Sequence, residues 1–306
     1  MKTHQANLVE ADNGHFYEIQ IDELTKKLFK SSTTILQAYP LDPSLKQFFL
    51  DNTAEQIAEK LSTAGMEGSK IHNACHLILN GQTLSPYGIT EDQLKSIGTV
   101  PPDKTAYKEK QKKYWDYMLK PFNKKEDKAL KGFMNFCADF RPIPMELEKI
   151  YYSLKHEFAG TADFLGYIHV DKKYLKGGTA KNGKAKKPML VPGNDKLLIL
   201  IDWKSGKGVY LDYHLQTASY WAARKEMGLK KNFLVSILHL GTAHKSKYNF
   251  ILVEDVPKRF KDFLRTKDQH EMAYGEARPE MYSFSEEYSY QVDSKSQVKL
   301  IKQFYK

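Results

Sequence analysis

The chain has little cysteine: Cys75 and Cys137 are the only two in 306 residues. Four thiolates are needed for a typical iron–sulfur cluster or an all-cysteine zinc site, so neither is expected, and both thiols should stay reduced and packed. Long apolar runs are also missing. Nowhere do about eighteen consecutive apolar residues occur, and the opening MKTHQANLVEADNG lacks the apolar core of a signal peptide. The expectation is a cytoplasmic protein with no membrane partner. Acid is scarce as well: 37 Asp and Glu face 47 Lys and Arg, leaving +10 and a pI near 9.2. That balance favours an anionic partner such as nucleic acid. No complete phosphate-cradling GxxxxGK[ST] loop is present, since the GTAKNGK of 178–184 is followed by Ala185, and this weighs against a nucleotide-hydrolysing enzyme. No internal repeat is visible.

Hydrophobic residues at 41%, charged residues at 27% and aromatics at 12% are close to globular values. By length the chain is one elaborated domain or two. Residues 15–37 read as short strands and a turn leading into a helix that Ser31 to Thr34 can cap. Residues 43–80 read as helical, with Gly65 and Gly68 separating two helices. A second helical block covers 105–120 and 124–140, charged on one side and aromatic on the other. Arg141-Pro142-Ile143-Pro144 then stops it. The pattern changes to strands in LEKIYYSL, GTADFLGYIHV, LLILIDWKS, FLVSILHL and YNFILVEDV. A helix is expected between Tyr213 and Met227, and from Phe260 a further helix, a polar segment and a tail. Residues 172–187 hold seven lysines and no acid, which suits a solvated hairpin or a basic arm against phosphates.

The most informative event is LLILIDWK. Branched residues in a row suit a strand buried on both faces, and the run ends in Asp202, Trp203 and Lys204. Alternation puts Asp202 and Lys204 on one face and Trp203 on the other. An acid and an amine beside a buried strand are costly unless paired, metal-bound or open to water. Four pieces stand in order along the chain: His72 on a helix, Asp163 in GTAD, Asp202 with Lys204, and Gln216 with Tyr220 on a following helix. Carboxylates of Asp163 and Asp202, with the Trp203 carbonyl, offer hard oxygen ligands suited to Mg2+ or Mn2+. Such ions would acidify a water and offset the charge growing on a phosphodiester. Lys204 would orient the nucleophile and stabilise the transition state; a plain salt bridge to Asp202 is its competing role.

GTAD, IDWK and QTASY resemble the motifs of the PD-(D/E)XK nuclease superfamily in its RecB-like branch, and SSTTILQAY and MEGSKIHNACHLILNG are similar to the leading part of phage-encoded members. The likeness runs from about residue 30 to 225. It implies an α/β fold of restriction-endonuclease type, a central mixed sheet flanked by helices with an N-terminal helical portion. It also implies divalent-metal-dependent cleavage of DNA, at ends or in single strands, in recombination, repair or replication, and for a phage-encoded chain the host cytoplasm. Asp163 and Asp202 match the metal-binding acids, Lys204 the catalytic lysine and His72 an additional metal ligand. Gln216 and Tyr220 match the Gln-x-x-x-Tyr pair, one helical turn apart, which contacts DNA or braces the site. Ala162 stands where the motif name has proline.

Further candidates are Glu148, at the opening of the strand before Asp163, and Glu157, just ahead of GTAD. His76 could join His72 as a two-histidine metal pair, and Lys207, between Gly206 and Gly208, could touch phosphate. The expected organisation is a single nuclease domain: a largely helical portion 1–140, a catalytic core 141–256, and a C-terminal helix and tail 257–306. The alternative function is a DNA-binding or assembly factor of the same fold that does not cleave, although Asp163, Asp202 and Lys204 are all retained.

Overall fold

The computed structural model describes residues 5–11, 14–99, 109–175, 178–179, 185–186 and 188–275. Three strands open the chain, β1 (Ala6–Ala11), β2 (Gly14–Gln20) and β3 (Lys26–Ser31), pairing as an antiparallel meander. Ser31 caps the short helix α1 (Ser32–Ile35) by accepting the Thr34 N–H. Helices α2 (Pro43–Leu50), α3 (Ala54–Leu79), α4 (Glu91–Ser96), α5 (Glu109–Met118) and α6 (Lys124–Phe140) follow. Strands β4 (Ile143–Ser153) and β5 (Phe158–Val170) form a long antiparallel pair. A two-stranded ribbon, β6 (Gly178–Thr179) with β7 (Ala185–Lys186), precedes β8 (Asp195–Lys204). The chain continues through α7 (Leu211–Glu226), β9 (Leu234–Leu240), β10 (Tyr248–Leu252) and α8 (Val256–Tyr274).

These elements make an α/β protein with a mixed eight-stranded sheet flanked by helices. The strand order is β1-β2-β3-β5-β8-β9-β10, with β4 on the other edge of β5. β8 lies antiparallel to β5 and parallel to β9. Its aliphatic run is buried on both sides, as its sequence requires. Ile199, Ile201 and Trp203 pack with Ile71 and Cys75 of α3 and with Phe133 and Phe136 of α6. Leu198 and Leu200 face the opposite layer, where Leu215 and Ala223 of α7 and Phe263 of α8 cover them. Period-two alternation in one strand thus feeds two helical layers. A third apolar cluster joins Ala74 and Leu77 of α3 to Leu94 of α4 and to Trp115 and Met118 of α5.

Two expectations change. α3 runs unbroken through Gly65 and Gly68 and does not divide there. A glycine costs a helix only about 1 kcal/mol relative to alanine, and a Thr53–Gln56 capping box with a well-packed C-terminal half outweighs it. The portion before residue 140 is mostly helical among the described residues, but it also gives β1, β2 and β3 to the main sheet, and β1 is the strand the sequence did not lead one to expect. β1 had no signal in its polar sequence and exists through its pairing with β2, Ala6 to Ile19 and onward. The basic stretch 172–187 contains the β6–β7 ribbon, but most of its lysines, like 105–108 and the tail from 276, lie outside the described residues. Among the described residues no helix is long and apolar enough to cross a membrane.

Candidate metal centre

The site begins where two strands part. On one edge β5 pairs continuously with β4, while its other edge is shared: β3 takes Phe158 and Ala159, and β8 takes Phe164 to Val170. Between them Gly160 to Asp163 have no strand neighbour on that edge. The last β5–β8 pair is Phe164 with Ile201, and β8 runs on beside β9 alone through Asp202, Trp203 and Lys204. Asp163 fills the opening. Its Oδ2 accepts the Trp203 backbone N–H at 2.6 Å, and its Oδ1 lies 3.0 Å from His72 Nδ1 on α3. A residue's N–H and C=O leave an extended strand on the same side, so the Trp203 carbonyl also points toward β5 and away from β9. The Trp203 ring is core, edge-on to Phe133 at 5.3 Å.

Glu148 sits across β4 from Asp163, between the pairs Leu147–Phe164 and Lys149–Ala162. Its φ of +46° is left-handed, a conformation rare for a non-glycine residue and one that functional sites store as strain. Ligand atoms of His72, Glu148 and Asp163 lie within 4.8 Å of one another. Asp202 is outside that group. It is 2% exposed, and Lys204 Nζ lies 2.7 Å from its Oδ2. The pair is buried, so the Lys204 ammonium is what chiefly offsets the Asp202 charge there.

The electrostatics are those of too much negative charge in one cleft. Burial and the adjacent Asp163 charge push the Glu148 carboxyl up to about 8, against the pull of His72. Burial raises Asp202 to about 6 although Lys204 opposes it. For His72 burial acts downward, but the Asp163 charge and hydrogen bond win and lift the imidazole to about 9. Burial likewise disfavours the Lys204 ammonium, and Asp202 with Asp163 more than restores it, so its pKa is raised. Burial and neighbouring carboxylates thus favour the protonated forms of Glu148 and Asp202.

α7 supports the site from the opposite layer. Gln216 Nε2 donates to Tyr220 Oη at 2.6 Å, and both residues are buried. The Tyr220 ring lies against Gly160, where a Cβ would collide with it. This pair therefore braces the strand opening and is not placed to touch a ligand from solvent. Arg224 anchors the same helix to β4 with two bonds to Glu146, of 2.8 and 3.1 Å. The sequence reading had overlooked Tyr213, whose ring face lies 4.8 Å from Lys204 Nζ. It shares a helix face with Gln216 and Tyr220, at i, i+3 and i+7, so that spacing was its available signal.

Other candidates fall away from the centre. Glu157 is an exposed turn residue paired with Lys27 at 3.1 Å, an ordinary surface contact. His76 is half-buried one turn after His72 but does not belong to the ligand group, and burial lowers its pKa. Lys207 is exposed in the turn after β8, outside the cluster itself. Neither thiol is reactive: burial drives Cys75 far up and Cys137 up to about 12.

Compared with known proteins, the chain matches no family model and no curated sequence.

Proposed function

We propose that this protein is a divalent-metal-dependent DNA nuclease built on a restriction-endonuclease-like core. The observation that carries the reading is the convergence of Asp163, Asp202 and Lys204 at one strand opening, with the buried Asp202–Lys204 ion pair at its edge. The Glu148 and Asp163 carboxylates with the His72 imidazole lie close enough together to hold a hard cation of the Mg2+ or Mn2+ type, and Asp202 with the Trp203 carbonyl would be its further oxygen ligands. Such an ion would acidify a water and offset charge on the phosphate.

The residues themselves divide the remaining work. Lys204, held by Asp202 and by the Tyr213 ring, presents a fixed ammonium for a developing negative charge. Asp163 holds the end of β8 in place by its bond to Trp203 N–H. His72 closes the cleft from α3, and Tyr220 keeps the β3–β8 opening from collapsing onto Gly160. The +10 charge supports a polyanionic substrate.

The test is incubation of end-labelled single- and double-stranded DNA with the protein and Mg2+ or Mn2+, with Asp202→Ala and Lys204→Ala alongside. Metal-dependent cleavage that both variants lose is expected. Binding in EDTA without cleavage under any divalent ion would leave a non-cleaving DNA-binding protein.

A further inference from the structure

We infer that a basic track beside the centre, formed by one face of α6 and the β9–β10 loop, carries the phosphate backbone of DNA into the strand opening. The inference rests on the nuclease reading and names how its substrate approaches. Lys124, Lys128 and Lys131 recur at helical spacing on α6, and Asn135 continues the same stripe. Asn135 Nδ2 donates to the Ser246 carbonyl at 2.8 Å, which ties the stripe to a loop bearing His244, Lys245 and Lys247.

That loop is seated, not merely adjacent. Gly132 is the α6 residue that meets it, and a Cβ there would run into the Lys247 carbonyl. Gly241, at φ +71°, packs on Ala129 at the other end of the loop. Lys247 itself holds φ +62°, with its N–H on the His244 carbonyl and its carbonyl on the Thr242 N–H. A left-handed lysine is paid for by surrounding contacts, and it fixes where that side chain leaves the loop.

The position connects the track to the chemistry. Lys204 on β8 is paired with His239 on β9, two residues before Gly241. His239 Nε2 lies 2.8 Å from the Gly206 carbonyl, so the turn with Lys207 and the β9–β10 loop lie at the same end of the sheet at which β8 delivers Asp202 and Lys204. Lys131 pairs with Asp127 on the exposed face. Among the described residues Lys128, Lys245 and Lys247 have no carboxylate within ion-pair distance. Lysines without an acid partner, on a fixed ridge at the sheet end that carries the proposed centre, match a polyphosphate chain running past that end.

The experiment compares the full chain with two triple variants of equal charge change, Lys128→Gln/Lys245→Gln/Lys247→Asn on the track and Lys258→Gln/Lys261→Gln/Arg265→Gln on the exposed face of α8. Affinity for a fluorescent single-stranded oligonucleotide is measured by anisotropy in EDTA across a salt series. Each phosphate contact contributes a slope of about 0.7 in log K against log salt for single strands, so the track variant should lose about two from the slope. At about 0.1 M salt its Kd should rise at least about tenfold, while the α8 variant keeps the wild-type slope. Equal losses in both variants, or an unchanged slope in the track variant, overturn the track. A parallel Mn2+ cleavage assay on the wild type separates the two claims. Track-dependent binding without cleavage overturns only the nuclease reading, and cleavage with an unchanged slope overturns only the track. Wild-type protein that binds no oligonucleotide overturns both.

Discussion

The Asp163 carboxylate receives the backbone N–H of Trp203 at 2.6 Å, at the first residue pair where β5 and β8 no longer bond to each other. A side chain thus replaces a missing main-chain partner and ties the acid of one strand to the acid-bearing end of the next. Asp163→Ala should then damage two things. It leaves the Trp203 N–H buried without an acceptor, at about 1–3 kcal/mol, and it removes the His72 partner. Urea unfolding should show that loss, and DNA cleavage should fall by at least about a hundredfold, as for removal of one group that stabilises a transition state. Wild-type cleavage by the variant would rule out a role for Asp163 in the chemistry.

Lys204→Ala removes the ammonium paired with Asp202, a residue that is 2% exposed. A buried acid stripped of its partner costs about 3–5 kcal/mol. Asp202 is already raised to about 6 by burial, and loss of the ammonium raises it further, so protonation relieves the strain at low pH. The variant should therefore trail the wild type more at pH 8 than at pH 5 in denaturant midpoints. An equal deficit at both would mean that Asp202 is neutral in the wild type.

Gly160→Ala should destabilise by about 1–3 kcal/mol through overpacking, since the new methyl meets Tyr220 Cε1. Tyr220→Leu made in the same chain should recover much of that loss, giving a coupling energy in a double-mutant cycle. Tyr220→Phe keeps the ring and leaves Gln216 Nε2 without its 2.6 Å acceptor, a change worth about 1–3 kcal/mol. If Gly160→Ala were neutral, Tyr220 would not press on the strand.

Much of this site was legible because strands announce their ends. The run from Leu197 to Ile201 marks a strand buried on both faces, and alternation places Asp202 beside Lys204 and Trp203 in the core. The QTASY spacing likewise put Gln216 and Tyr220 on one helix face, though only the structure shows that face turned inward. Glu148 was harder to weigh: its nearness to Asp163 depends on the register of β4 with β5 and on a left-handed φ, and neither leaves a trace in local sequence. β1 and the unbroken α3 were misread for one reason. A polar strand and a glycine-bearing helix are both held by tertiary partners that outweigh local propensity.

The site's share of the pH dependence of the metal-free protein comes from three groups with a common sign. Glu148, Asp202 and His72 all keep their protons to higher pH in the folded chain than their ordinary values allow, up to about 8, about 6 and about 9. Through these groups the folded state holds extra protons from about pH 4 to pH 9, and the partly or fully buried His76, His156, His214 and His270, whose pKa values are lowered, oppose this only below 6.5, so linkage makes stability fall as pH rises from about 6.5 to 9. The Asp202 share goes first, between 3.8 and about 6; the Glu148 share follows between 4.5 and about 8; the His72 share is complete below 6.5 and lost by about 9. Mn2+ should reverse the trend, because a cation in the same cleft competes with those protons and binds better as they leave. Urea midpoints in EDTA should drop from pH 7 to pH 9, and the midpoint gained on adding Mn2+ should be larger at pH 9 than at pH 5. A gain that is equal at both pH values would place the ion away from Glu148 and His72.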